Sequence, residues 1–281
     1  MSPSNDRAGS GPGRGSDGSG GPAGRPEASK FSEEGVRDYE RRRYRGIDQR
    51  IVHARETRLI RKCFDRIRAA RGVPEGGAAV LDLPCGYGRF TDLLRAYAGR
   101  LVASDLSFEM VRRAVHRPGP AVAAGTGRAA AGGGAAAARA ERSVGAVANA
   151  KQGLPFKADV FDVVFSVRFF HHVHDSLDRG RILGEFNRAT AGWAIVSFYR
   201  MNGLHGLQRR LRRKFHKSRT HIKMIEPGTF EKEAAAAGFE VVRVFPLFRG
   251  IHAYHLALLR KKDSVSLRAT EGSEAIPPAV G

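Results

Sequence analysis

Two aspartates and two glycines stand at a spacing that could bind a nucleotide. Asp82 and Asp105 each end an apolar run, and Gly86 and Gly88 lie in the turn after the first run. Parallel α/β sheets bind ligands outside the carboxyl ends of their strands. Glycine removes a Cβ atom where a ligand must approach the backbone, and an acid after the second strand can accept hydrogen bonds from ribose hydroxyls. The four residues therefore predict a ribose-containing ligand, with Asp82 placed to meet its cationic part.

Strands and helices alternate along the chain that must position these residues. The apolar run Phe161–Val167 predicts a buried central strand, and Trp193–Tyr199 predicts another. The last two predicted strands, Val241–Phe245 and Ala253–Leu259, are joined by a short connection that favours an antiparallel hairpin. The predicted fold class is α/β: a Rossmann-like, doubly wound, mostly parallel seven-stranded sheet with an antiparallel C-terminal edge hairpin.

The glycine turn alone leaves alternatives open. A tight turn without any ligand is one of them, because short glycine motifs are weak signals. A nicotinamide-dependent dehydrogenase is another, since Asp105 could equally serve NAD. Thr91 stands where the third small residue of the dinucleotide motif would allow close packing of helix and strand. Thr91, Asp82 and the predicted terminal hairpin together favour S-adenosylmethionine over NAD.

Four motifs strengthen that choice: Leu81-Asp-Leu-Pro-Cys-Gly-Tyr-Gly-Arg89, Ala103-Ser-Asp-Leu-Ser107, Leu154-Pro-Phe156 and Phe169-Phe-His-His-Val173. With them the sequence resembles the class I S-adenosylmethionine-dependent methyltransferases. It is most similar to the branch of ubiquinone/menaquinone-biosynthesis-type ("methyltransferase type 11"-like) enzymes. The resemblance runs from about residue 31 to residue 262.

The resemblance implies S-adenosylmethionine as the cofactor and a set of residues that hold it. Pro84 replaces the usual first glycine of the turn, and Asn149 stands near the place of the usual acid that contacts adenine. Asp105 would take the ribose and Leu106 would pack against adenine. The implied cofactor residues are Asp82, Pro84, Cys85, Gly86, Gly88, Asp105, Leu106, Asn149, Ala150 and Val167.

The segment after the central strand is where an acceptor would lie. A histidine with a pKa of ~6.5 could deprotonate an acceptor hydroxyl, so His171 and His172 are candidate bases; alternatively, one imidazole serves packing only. Adjacent histidines diverge and no carboxylate–histidine set accompanies them, so no metal is predicted. Predicted substrate contacts are Arg168, Tyr199, Arg200 and His205.

Basic residues dominate the charge of the chain. Lys and Arg number 48 against 28 Asp and Glu, a formal charge of +20. This balance favours polyanions such as RNA or an anionic lipid surface, or it is a compositional bias without a partner. Residues 203–217 combine helical leucine spacing with clustered arginines, which predicts a basic amphipathic helix or a lid with a solvated face. No DNA partner is expected, because the element typical of base-methylating enzymes is missing after the central strand.

Composition divides the chain into one domain with two tails. We predict disordered tails at 1–30 and 263–281 and a methyltransferase domain at 31–262. That domain carries a flexible Ala/Gly-rich insertion at 117–142 and a substrate-side basic insertion at 200–225. Phe31–Arg71 predicts one or two helices at the domain's edge or over the site's mouth. With two cysteines, no apolar leader and no transmembrane segment, the expected location is the cytoplasm, either free or peripheral to a membrane.

Three functions follow as hypotheses. The first is methyl transfer to a small or lipid-linked acceptor, at an oxygen or carbon atom. The second is RNA methylation that uses the basic surface for its substrate. The third is a catalytically silent binding protein with the same fold, against which the intact Asp82, Gly86, Gly88 and Asp105 argue.

Overall fold

A computed structural model describes residues 47–71, 77–117, 143–201, 224–249 and 252–262. Both predicted tails, nearly all of the 117–142 insertion, and residues 202–223 with His205 and the basic segment lie outside the described residues. The strands are β1 Ala78–Asp82, β2 Ala98–Asp105, β3 Ser143–Val147, β4 Phe161–Ser166, β5 Thr190–Tyr199, β6 Phe239–Pro246 and β7 Tyr254–Lys261. The helices are α1 Ile47–Arg71, α2 Thr91–Arg95, α3 Phe108–Val115, α4 Ser176–Ala189 and α5 Thr229–Ala236, with a 3₁₀ turn at Phe170–His172.

All seven strands form one sheet in the order β3-β2-β1-β4-β5-β7-β6. The first five strands of that order pair in parallel, whereas β7 pairs antiparallel with both β5 and β6. The chain first builds outward from β1 to β3 and then returns to place β4 beside β1. This reversal makes β1 and β4 the topological switch point, where a doubly wound sheet binds its ligand. The predicted fold class, including the antiparallel edge hairpin, is confirmed.

Neighbouring residues of each central strand bury their side chains in different layers. Leu81 joins a core cluster with Ile182 and Phe186 of α4, whereas Val80 joins a second cluster with Ile60 of α1. Alternation of this kind is what a strand with both faces covered requires. The sheet is thereby packed between helices on both of its faces.

The described part of the segment before β1 is the helix α1, which packs on a face of the sheet. Leu59, Ile60, Cys63, Phe64 and Ile67 form its buried stripe at helical spacing. Of the two expected positions, the one at the domain's edge does not hold, because this stripe joins the core on a face of the sheet. The position over the site's mouth stays a prediction. The part of the earlier segment at 31–46 lies outside the described residues.

Candidate cofactor and acceptor sites

Backbone conformation sets the geometry of the turn after β1. Gly86 has a φ of +53° and Gly88 a φ of +81°, both in the left-handed region that glycine adopts without strain. A Cβ atom at Gly88 would lie 2.9 Å from Cα of Ala114, so α3 packs directly onto this position. A Cβ atom at Gly86 would meet no described heavy atom within 4 Å. The lack of a side chain at Gly88 thus allows α3 to pack closely against the turn. The lack of one at Gly86 leaves space beside the backbone for a ligand. The Leu83–Pro84 peptide in the same turn is cis.

Two backbone amides fix the carboxylate of Asp105. The amide of Gly86 donates to Oδ2 and the amide of Ser107 donates to Oδ1, each at 3.0 Å. Burial raises the pKa of Asp105, while the amides of Ser107, Gly86 and Leu106 oppose this shift. Each carboxylate oxygen has a second lone-pair direction, which leaves the group able to accept from two adjacent hydroxyls.

Asp82 lies buried at the end of β1, close enough to Asp105 for their charges to interact. Burial raises the pKa of Asp82 well above its ordinary value, and the negative charge of Asp105 raises it further. A buried pair of like charges is costly, and a cation placed beside it would favour the ionised form. A ligand that carries a ribose diol and a cationic centre therefore fits the residues present.

The other implied cofactor residues surround this pair. Val167 and Ala150 are buried, and the side chain of Leu106 is 66% exposed, which leaves its apolar surface open to a flat ligand group. Asn149 uses its Oδ1 to accept a hydrogen bond from the amide of Lys151 at 3.1 Å. Burial, followed by the charge of Asp82, raises the pKa of the Cys85 thiol, so this cysteine is protonated and unsuited to act as a nucleophile.

A buried carboxylate from α1 connects the cofactor turn to the acceptor side. Glu56 is fully buried and forms ion pairs with Arg89, which follows Gly88, and with Arg168, which follows β4, at 3.1 and 3.0 Å. His53, one turn earlier on α1, accepts hydrogen bonds from Arg89. Sequence reasoning missed Glu56. Its signal was a carboxylate in the helical register of the apolar stripe, four residues before Ile60.

Arg168, predicted as a substrate contact, is held by three parts of the fold. Its backbone has a φ of +63°, and its amide donates to Oγ of Ser197 at 2.6 Å. Its Nε and Nη2 atoms donate to the Glu56 carboxylate, and the guanidinium lies 5.7 Å from the ring centroid of Tyr254. Burial acts to lower the pKa of Arg168, but the charge and hydrogen bonds of Glu56, with smaller contributions from Tyr254 and Tyr199, together raise it, so the side chain stays cationic.

The two candidate histidines follow Arg168 in the 3₁₀ turn but differ in exposure. His171 is buried and His172 is exposed, with ring centroids 3.9 Å apart. Arg179 of α4 fixes the chain just beyond them, because its Nη1 atom donates to the carbonyl oxygens of Val173 and His174. Arg179 is itself buried and paired with Glu233 of α5. These contacts of Arg179 were also not predicted, because a single sequence does not reveal that α4 packs against α5.

Tyr199 and Arg200 lie at the same edge of the sheet as the histidines. The ring of Tyr199 lies 5.0 Å from that of His171, and Tyr199 pairs with Tyr254 where β5 and β7 meet. The amide of Arg200 donates to the carbonyl oxygen of Ala253 at 2.8 Å. His205, the remaining predicted substrate contact, lies outside the described residues. The structure therefore brings every described substrate candidate to the carboxyl edge.

Metal and membrane features were searched in the same part of the chain. The described ranges contain no group of three or more His, Cys, Asp or Glu residues that could hold a metal ion. None of the helices described is both long and apolar enough to cross a membrane.

The fold is a Rossmann-like α/β domain, and the residues at its switch point fit a ribose-bearing ligand with a cationic centre. Residues 53–244 match the family model of a methyltransferase domain. Because the match spans more than half of the chain, the protein belongs to this family, the class I S-adenosylmethionine-dependent methyltransferases. S-adenosylmethionine is the cofactor that the family uses.

Solved structures share the fold at low sequence identity. Magnesium protoporphyrin IX methyltransferase from Synechocystis PCC 6803 with bound SAH is 16% identical, with a TM-score of 0.62 over 83% of this chain and 97% of that chain. Its complex with SAM gives 15% identity and a TM-score of 0.56 over 83% and 94%. A putative methyltransferase in complex with the Haloferax volcanii Trm112 activator gives 17% identity and a TM-score of 0.52 over 84% and 97%. None of the curated protein sequences is significantly similar to this chain.

Proposed function

We propose that the protein is an enzyme that transfers a methyl group from S-adenosylmethionine to an oxygen or carbon atom of a small or lipid-linked acceptor. We place it in the branch that resembles the ubiquinone/menaquinone-biosynthesis-type enzymes. The observation that carries the proposal is the pair of buried carboxylates, Asp82 and Asp105, set around the open backbone position of Gly86.

The proposed cofactor contacts follow from that geometry. S-adenosylmethionine supplies a methyl group on a sulfonium centre. Asp105 accepts hydrogen bonds from the ribose hydroxyls, and Asp82 attracts the cationic end of the cofactor directly or through water. Leu106 packs against adenine, Asn149 contacts its edge, and the cofactor residues Pro84, Cys85, Gly88, Ala150 and Val167 form the remaining wall.

On the acceptor side we assign the role of base to His172. Its ring is exposed, whereas His171 is buried between the rings of His172 and Tyr199 and is suited to orient its neighbour. For an acceptor hydroxyl, His172 would take the proton, and bound S-adenosylmethionine would supply the methyl group that the oxygen accepts. Alignment of the two reactants would supply much of the rate.

Two other functions are the alternatives that the experiment described below distinguishes. The formal charge of +20 favours an RNA acceptor or an anionic membrane surface, and the latter agrees with a cytoplasmic protein peripheral to a membrane. A catalytically silent protein of the same fold would bind the cofactor or a partner without transferring a methyl group.

Transfer of a labelled methyl group separates these functions. The protein is incubated with S-adenosylmethionine labelled on the methyl group, together with total cellular small molecules, lipids or RNA. Label in the organic extract that disappears with Asp105→Ala supports the proposal. Label in RNA would contradict the proposed acceptor class, and no label in any fraction from a protein that binds S-adenosylhomocysteine would favour the silent protein. Arg260→Gln, at an exposed ion pair on β7, is the matched control.

A further inference from the structure

The outward side of α1 is strongly basic. Its exposed basic side chains, which we call the basic face of α1, are Arg50, Arg58, Arg61, Lys62 and Arg66. Asp65 is the one exposed acid among the described side chains of this helix, and it pairs with Arg68 of α1 itself. The helix therefore presents a concentrated positive charge to solvent.

This charge is not neutralised by the part of the chain that the structure describes. None of the five side chains forms an ion pair with a described residue, and the neighbouring acid of α2, Asp92, is paired with Arg95 and Arg117. Exposed arginines on α3, α4 and β7 do pair with acids, namely Arg112 with Glu109, Arg181 with Asp178 and Arg260 with Glu240. The basic face is thus a local feature of α1 rather than a property of every exposed arginine.

Helical geometry places the basic face opposite the buried side of α1. At about 100° per residue, the five side chains span an arc of about 160°, on the side of the helix away from Glu56 and Ile67. A rise of about 1.5 Å per residue separates Arg50 from Arg66 by about 24 Å along the axis. Arg58 lies at the crest of this arc, and Arg61 and Arg66 lie toward its two flanks.

Both flanks are open to a ligand. A cavity of about 300 Å³ lies between Arg61 of α1 and Leu93 of α2. On the other flank, the guanidinium of Arg66 lies 5.9 Å from the ring centroid of Phe245 on the edge strand β6, and the exposed Arg243 stands two residues earlier on that strand. Positive charge therefore covers the crest and continues down both sides of the helix.

Such a distribution suits a concave anionic surface better than a flat one. A bilayer would contact the crest and leave the flanks in water, and Ile51 is the one exposed large apolar side chain described on α1 that could insert into it. The two phosphate ridges beside a nucleic-acid groove would meet both flanks at once, and basic side chains bind phosphates with release of counterions.

The depth of the groove distinguishes between nucleic acids. One side of α1 is buried in the core, so only its outer half can enter a groove. The major groove of B-form DNA is about 8.5 Å deep, and a helix about 10–12 Å wide must enter it almost completely to reach the floor. The minor groove of A-form RNA is wide and shallow, with phosphates and 2′-hydroxyls exposed. A half-buried helix therefore fits RNA better than DNA.

We infer that the basic face of α1 binds double-helical RNA, with the helix in the minor groove and phosphates along both of its flanks. The inference goes beyond the proposed function. The basic face points away from Glu56 and from the site that Glu56 supports, so the RNA is a bound partner and not the methyl acceptor.

Binding of a fluorescently labelled RNA duplex of about 20 base pairs to the full-length protein, followed by anisotropy, tests this inference. Affinity should fall about 100- to 1000-fold between about 50 and 200 mM salt, as expected for five phosphate contacts. A DNA duplex of the same sequence should bind at least tenfold more weakly. Equal binding of the DNA duplex, or binding to vesicles of phosphatidylcholine and phosphatidylglycerol without binding to RNA, would overturn the inference.

A triple variant locates the contact. Arg58→Gln, Arg61→Gln and Lys62→Gln together should weaken RNA binding at least tenfold and reduce the salt dependence by about 2–3 released counterions. Arg58→Lys with Arg61→Lys should keep most of the affinity, because phosphate contacts need the charge. The matched control removes the same charge from paired positions: Arg112→Gln, Arg181→Gln and Arg260→Gln. It should change the affinity less than twofold, and equal losses in the two triple variants would show that net charge alone binds the RNA.

Titration of S-adenosylhomocysteine into the same proteins keeps the two proposals apart. The triple variant of α1 should bind it with the Kd of the wild type. A protein that binds RNA as expected but not S-adenosylhomocysteine contradicts the proposed function alone. A protein that binds S-adenosylhomocysteine but not the RNA duplex contradicts the inference alone. Thermal unfolding of each variant verifies that the protein is folded before binding is interpreted.

Discussion

The cofactor half and the acceptor half of the carboxyl edge are built in different ways. In the cofactor half, β1 and β2 with their following turns supply Asp82, Gly86 and Asp105, and backbone amides hold the key carboxylate. In the acceptor half, a buried ion cluster and a row of rings running from His171 to His252 are assembled from α1, the end of β4, the end of β5 and the β6–β7 connection. The first half depends on local backbone geometry, and the second depends on long-range packing.

This difference has an energetic consequence. The cofactor half concentrates negative charge that a bound cation or protonation relieves, so we expect the ionised pair to destabilise the protein when no cofactor is bound. The acceptor half balances most of its charge internally through Glu56, so we expect it to stabilise the fold. Removing a buried carboxylate charge in the two halves should therefore move stability in opposite directions, as in proteins that retain unfavourable groups for function.

Removal of the Glu56 carboxylate should give the largest loss of stability. Glu56→Ala leaves Arg89 and Arg168 buried without their counterion, and breaking a buried pair in this way costs about 3–5 kcal/mol of unfolding free energy. Glu56→Gln keeps one acceptor oxygen and should cost less. Urea denaturation measures both, with Glu240→Ala at an exposed pair as the control, where the loss should be below about 1 kcal/mol. Equal losses at Glu56 and Glu240 would contradict the role of the buried cluster.

A substitution in the cofactor turn should also destabilise, but for a steric reason. Gly88→Ala forces a φ of +81° on alanine and places its Cβ atom 2.9 Å from Cα of Ala114, with an expected cost of about 1–3 kcal/mol. Gly184→Ala in α4 is the matched control. Its added Cβ atom meets no described heavy atom within 4 Å, so it should stabilise the helix by about 0.5–1 kcal/mol. Urea denaturation should therefore show a lower unfolding free energy for Gly88→Ala and a higher one for Gly184→Ala. Losses of similar size for both variants would refute the steric explanation.

Asp82→Asn should stabilise the cofactor-free protein at pH 7 while weakening S-adenosylmethionine binding tenfold or more. Burial and Asp105 raise the pKa of Asp82 well above its ordinary value, so an ionised Asp82 is unfavourable in the folded state and a neutral amide removes that cost. Urea denaturation and calorimetric titration of the same samples measure the two effects. A loss of stability at pH 7 would show that Asp82 is not an unfavourable charge.

The cofactor half could be predicted from the sequence more fully than the acceptor half. Asp82, Gly86 and Asp105 lie on adjacent strands and their turns, so a local pattern was enough to predict their arrangement. Glu56 and His252 come from a helix and a loop far apart along the chain. Only tertiary packing brings such residues together, and a single sequence does not reveal it.

The fold was predictable for the same reason that the cofactor half was. Apolar runs such as Phe161–Val167 mark buried strands whatever they pack against, and the structure places β4 there between β1 and β5. The position of α1 was not predictable, because a stripe of apolar residues reveals that a helix is buried but not which surface buries it.

The pH dependence of cofactor binding should give the smallest effect. The pKa of Asp105 is raised by burial in the folded, cofactor-free protein, and the ribose contacts need its ionised form. As the pH falls, protonation should therefore weaken S-adenosylmethionine binding at a pH above the ordinary aspartate range. The free folded protein gains stability over the same window, because its raised pKa favours the protonated state.

Titrations at several pH values check this expectation. Asp178→Asn is the control, since its hydrogen bond with Lys151 lowers the pKa of Asp178 and takes it out of the relevant window. Binding that weakens only below the ordinary aspartate range would contradict the raised pKa of Asp105.

Calorimetric titration of S-adenosylmethionine into the wild-type protein and Asp105→Ala tests the central claim most directly, with Arg260→Gln as the control. We expect a Kd between about 1 and 100 μM for the wild type and the control, which corresponds to about 5.5–8 kcal/mol. Asp105→Ala should weaken binding at least a hundredfold while the protein remains folded, because it removes the carboxylate that Gly86 and Ser107 hold in place. Equal affinity of the wild type and Asp105→Ala, or no binding by a folded wild-type protein, would contradict the assignment of this edge to the cofactor.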